Sequence, residues 1–154
     1  MASFDESPDG LTVTLEPEET TLLKRLLDEL EQVLSAPTPG PLEDRLFPAA
    51  YDTSEEQDAY EELVGDQLRN DKLKFVRAAR SALGRDSVVL DSEAIEPCLV
   101  VLTDLRLAIG TRLDVTEEMM AAELDPEDPN APALSVLHWL GWMQESLLSH
   151  LTKS

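Results

Sequence analysis

Cysteine is almost absent from this chain. Cys98 is the one thiol in 154 residues, so no internal disulfide can form. Beside Leu99 and Val100 it reads as a small buried hydrophobe. Histidine is nearly as scarce. His138 and His150 stand far apart with no cysteine cluster near them, which is not a zinc-ligand spacing. There is no HExxH, no Gly-rich phosphate loop and no GxSxG. The Glu-x-x-His of carboxylate-bridged metal bundles is missing too. No catalytic set, metal or cofactor is therefore expected, and an enzyme is the less favoured class. No apolar run approaches the roughly 18 residues of a membrane span. The opening MASFDESPDG is acidic where a signal peptide has an apolar centre. A cytoplasmic protein without membrane contact is the expectation.

Positive charge is also thin: 12 Lys and Arg stand against 32 Asp and Glu, a formal net charge of −20. Nucleic-acid affinity comes largely from neutralising phosphates, so nucleic acid is not an expected partner. Solubility and basic protein partners are what such a surface permits.

What is present is helical patterning over the length of one domain, 1–154, with residues 1–9 expected to be a flexible lead. GLTVTL (10–15) alternates as a short strand does, and SVVLD (87–91) reads as a second. Glu16 and Pro17 open a helix whose face carries Leu22, Leu23, Leu26, Leu27, Leu30, Val33 and Leu34. Three prolines in APTPGP end it, and LEDRLFPAAY (42–51) makes a short turn of helix stopped before Pro48. Ser54-Glu55-Glu56-Gln57 is a capping-box pattern opening a long segment to about Leu83, where Gly65 is a place for a bend. Further helices are expected from about Ser92 to Thr111, over 116–124, and from about Ala133 to Leu151. VTLEPE and VVLDSE each run from a strand end into a helix. The match is either what any such junction looks like or the mark of two paired strands. The fold expected is a mainly α, single-domain bundle of five to six helices with at most a two-stranded β element.

Two features stand out against that plan. In LTDLRLAIGTRLDV (102–115), Arg106 and Arg112 project at 100° per residue into or beside the apolar arc of Leu102, Leu105 and Ile109. On the last helix Gln144 lies among Leu137, Leu140, Leu147 and Leu148. An unpaired buried guanidinium would cost several kcal/mol, so partners are needed, with Gln144, Glu145 and Asp104 as candidates. A polar network fixing helix register is the first reading. A pocket for a small anion or a partner peptide built from Arg106, Arg112 and Gln144 is the second.

The other feature is a charge division. Asp52 to Asp66 holds seven acids (Asp52, Glu55, Glu56, Asp58, Glu61, Glu62, Asp66) and no base. Residues 69–85 then hold six bases (Arg69, Lys72, Lys74, Arg77, Arg80, Arg85) and one acid, Asp71. Lys74, Arg77, Arg80 and Arg85 project away from Phe75, Ala79 and Leu83 and make a candidate docking surface. Trp142 falls opposite the leucine face of its helix, so another element or a second copy of the chain should cover it, the latter giving a homodimer.

RLFPAAY, LTDLRLAIGTRLDV and HWLGWMQESLL together resemble an actinobacterial family of small proteins of unknown function. Its members are often encoded beside the adaptor that delivers N-degron substrates to the Clp protease. The usual pattern is closer to LNDLRLALGTRL: Thr103 stands where Asn is common, and Met143 replaces a Leu. The resemblance implies a predominantly helical fold and carries no activity. The function expected is that of a non-enzymatic acidic interaction protein with an unidentified protein partner, linked to regulated proteolysis. A transcriptional regulator and a small anionic-ligand binder are the alternatives.

Overall fold

A computed structural model describes residues 2–36, 39–113 and 127–152. Three strands, β1 (Ser3–Ser7), β2 (Gly10–Thr14) and β3 (Ser87–Leu90), form an antiparallel sheet in the order β1-β2-β3. Among the described residues five helices accompany it: α1 (Pro17–Ser35), α2 (Pro41–Leu46), α3 (Ser54–Leu83), α4 (Ser92–Leu113) and α5 (Ala131–Thr152). The chain is mainly α with a minor β element. The helix expected over 116–124 lies outside the described residues.

The two strands read from the sequence do pair, Leu11 opposite Leu90 and Val13 opposite Val88. The sheet gains a third strand that the expectation of a flexible 1–9 did not include. Ser3–Ser7 zips along β2, Phe4 opposite Val13, because Gly10 makes the tight return possible. Gly10 has φ +142°, and a Cβ there would run into the Leu90 carbonyl. Val13 and Leu90 are buried, so the small sheet leans on the helices as a marginal sheet must.

Helix starts are well specified. Glu16 and Glu19 close a capping box on α1. Thr53, one residue before the expected Ser54, caps α3 through its hydroxyl, which accepts from the Glu56 amide at 3.3 Å. Asp91 caps α4 by accepting from the Ala94 amide at 2.9 Å. Gly65 does not interrupt α3.

α4 is the central helix, in contact with α1, α2, α3 and α5. Ile95, Cys98, Val101, Leu102, Leu105 and Ile109 are its buried apolar side chains. Cys98 is fully enclosed, and burial pushes its thiol up to about 12. α3 is buried only at Val76, Ala79 and Leu83, all in its C-terminal third.

Candidate functional site

Arg106 and Gln144 meet. Arg106 Nη1 donates to Gln144 Oε1 at 2.8 Å, Gln144 Nε2 donates to the Thr103 hydroxyl, and Thr103 Oγ1 donates to the Leu99 carbonyl at 3.0 Å. Each polar group passes its donor onward, so a charge ends on a helix carbonyl through three hydrogen bonds. Thr103 thus both accepts and donates a hydrogen bond. The guanidinium lies flat over Gly141 of α5: a Cβ built there would be 3.5 Å from Arg106 Cζ. The Arg106 Nε is buried without a partner. The latch joins α4 to α5, the pairing expected of Arg106 and Gln144.

The other residues proposed for that network are elsewhere. Arg112 is a surface residue, its side chain 73% exposed and 3.9 Å from Glu29 of α1. Glu145 is exposed. Among the described residues, the end of α4 meets α1 and α2 and leaves Arg112 exposed. Arg106 and Arg112 therefore do not converge on one pocket.

Asp104 is buried, at 3% exposure, but its partner is Lys72 of α3. Lys72 Nζ donates to Asp104 Oδ1 at 3.0 Å and Oδ2 at 2.9 Å. Burial raises the Asp104 carboxyl above its usual range, and the hydrogen bond and charge of Lys72 oppose that rise. Beside this pair Arg69 Nη1 donates to the Leu34 carbonyl at the end of α1, at 3.1 Å, and Nη2 pairs with Glu43 of α2. The Phe47 ring lies under both cations, 4.5 Å from Arg69 Cζ and 5.7 Å from Lys72 Nζ. One aromatic and two ion pairs thus bind α1, α2, α3 and α4 together. The sequence does not show this cluster because its members lie on four separate segments. Phe47, the odd aromatic in RLFPAAY, was the available signal.

The docking candidates divide. Arg80 spans to α1, bonding Asp28 at 2.9 Å and Glu31 at 2.6 Å. It holds the fold and is not a free cation. Lys74, Arg77 and Arg85 are exposed, and no ion pair holds them among the described residues. Trp142 meets Phe4 of β1 edge-on, centroids 5.3 Å apart at 78°, and keeps 38% exposure. The strand that was expected to be loose is what covers it. A cleft of about 460 Å³ between α2 and α3 is lined by Glu43, Asp44, Glu61, Phe47 and Tyr60 among others. Among the described residues no group of His, Cys, Asp and Glu could hold a metal ion, and no helix is long and apolar enough to cross a membrane.

A family model described as Domain of unknown function (DUF2017) matches residues 1–151. The chain belongs to the DUF2017 family. No curated protein and no solved structure matches it. In this DUF2017 member the latch, the Phe47 cluster and the Arg80 bridge each use their polar groups inside the fold, while Lys74 and Arg77 on α3 and Arg85 just after it are exposed without ion pairs among the described residues, as are Lys24 and Arg25 of α1.

Proposed function

We propose that this DUF2017 chain is a non-enzymatic interaction protein that docks an acidic protein surface on the outer face of α3. One observation carries the reading. Of the six bases between 69 and 85, Arg69, Lys72 and Arg80 are paired within the fold, while Lys74, Arg77 and Arg85 point to water without ion-pair partners among the described residues. A cationic strip on a molecule of net charge −20 orients an acidic partner and repels everything else negative. Duplex DNA would meet the same strip together with the acids around it, which favours protein over nucleic acid. The resemblance to proteins encoded beside the N-degron adaptor supports a place in regulated proteolysis.

The test is affinity capture from the native host with the wild type and with Lys74→Glu/Arg77→Glu/Arg85→Glu. All three side chains are exposed, so the variant should keep the parent circular dichroism and melting temperature. Capture of the wild-type partner should be lost. Unchanged capture by a folded variant contradicts the reading.

A further inference from the structure

α3 carries one exposed strip along nearly its whole length. Glu55, Glu56, Ala59, Glu62, Leu63, Asp66, Gln67, Asn70, Lys74, Arg77, Ala78 and Ser81 are all exposed. At 100° per residue they share the side opposite Val76, Ala79 and Leu83, which enter the core. From Glu55 to Ser81 the strip is about 40 Å long. Its N-terminal half is acidic and its C-terminal half basic. Acids at a helix start and bases at its end complement the helix dipole, but that effect fades within the first and last turns. It does not account for Glu62, Asp66 or Lys74, which lie well inside. Leu63, 82% exposed, is the most exposed large apolar side chain among the described residues, and it sits in the same strip.

Four pairs of strip positions lie at equal distances on either side of Asn70. Asp66 and Lys74 are each four residues away, Leu63 and Arg77 seven, Glu62 and Ala78 eight, Ala59 and Ser81 eleven. Four, seven, eight and eleven are the steps that keep a residue on one helix face. We propose that α3 pairs antiparallel with α3 of a second copy of this chain, across a two-fold axis through Asn70. The acidic surface that Lys74 and Arg77 dock is then the N-terminal half of the same helix in the other protomer, so the inference rests on the docking function proposed above and names its partner. Asp66 meets Lys74, Glu62 meets Arg77 at the Ala78 level, and each contact is made twice, as a two-fold interface requires. Leu63 lies on Ala78 and the aliphatic stems of Lys74 and Arg77. Ala59 and Ser81 are small enough to let the helices close. A foreign acidic partner would need only the basic half. The matched acids and the mirrored spacing fit a second copy. Two protomers of −20 each repel, so the dimer is weak and depends on the paired strip.

Sedimentation velocity of the full chain, at one moderate salt concentration and rising protein concentration, tests this with complementary charge reversals. Wild type should dimerise. Lys74→Glu/Arg77→Glu and Glu62→Lys/Asp66→Lys should each stay folded and dissociate at least tenfold more readily, since like charges then oppose. An equimolar mixture of the two variants restores every pair and should recover dimer as heterodimer. A monomeric wild type, variants as dimeric as wild type, or a mixture that stays monomeric would each overturn the proposal. Asn70→Cys gives a second readout. Cys98 is buried, so in a glutathione redox buffer Cys98 stays silent and the new thiol on the axis should cross-link to its own copy, whereas Ser149→Cys on exposed α5 should not. Equal cross-linking at both positions contradicts the axis. These measurements need only purified chain. A monomeric wild type leaves docking of another protein standing, whereas unchanged capture by the triple reversal removes docking itself.

Discussion

Two arginines of similar sequence setting have unequal duties. Arg106→Ala leaves Gln144 Oε1 without its donor at a half-buried site and opens space over Gly141. It should destabilise by about 1–3 kcal/mol, the usual range for a lost charge-assisted hydrogen bond. Arg112→Ala removes an exposed side chain with one long contact and should fall within about 0.5 kcal/mol of wild type. Chemical denaturation of both variants checks the contrast, and equal losses would contradict the assignment. Asp104 adds a pH signature. Burial raises its folded carboxyl above the usual 3.8, so the folded chain binds this proton more tightly than the unfolded chain. The stability contributed by this group is fully present below 3.8 and declines as pH climbs through the folded value. Unfolding free energies of wild type and Asp104→Asn, measured from pH 3 upward, should therefore show a difference that shrinks for wild type as pH rises. A difference that is flat or grows would contradict the burial-dominated shift. Arg106 and Gln144 were legible in the sequence because both interrupt apolar arcs that face each other. Asp104 was a candidate partner for the arginines, but its pairing with Lys72 was not legible, since projection onto a single buried face turns it away from that face. α4 is enclosed on two sides, and its second face meets Lys72.

The elements themselves followed local rules. Pro17 with Glu16, the acids opening α3, and the leucine faces of α1 and α5 each specify a helix with little help from the rest of the chain. Strands β2 and β3 were legible from their alternation. β1 was not: SFDES has one large apolar side chain, and what makes it a strand is its antiparallel register on β2 and the contact of Phe4 with Trp142. A segment held by tertiary partners leaves no local signal. α3 is divided along its length. Its first half, from Ser54 to Leu68, contains no buried residue. Its contacts are peripheral, with Gln57 accepting from the Ala50 and Tyr51 amides and Tyr60 meeting Tyr51 edge-on, whereas most helix stability in proteins comes from packing. The first turn gains from the cap at Thr53, and in the proposed dimer Asp66 and its neighbours gain from the second copy.

At the scale of the whole molecule, charge is what distinguishes this chain. The bases are few, and the fold commits half of those between 69 and 85 to internal pairs. That sorting depends on which side of α3 each base occupies and on what α1, α2 and α4 present to it, which no one-dimensional charge count resolves. Arg80 and Lys74 look alike in sequence, yet one bridges to Asp28 and Glu31 while the other faces water. The central claim is that the outer face of α3 is where this protein meets its partner. Amide hydrogen exchange on the free chain and on the captured complex tests it most directly. In the free chain, amides of 54–68 should exchange well before those of 76–83, which sit on the core. In the complex, protection should rise along 55–81 and leave α5 unchanged. Protection that appears instead around Trp142 or along α5, with α3 exchanging as it does in the free chain, would contradict the claim.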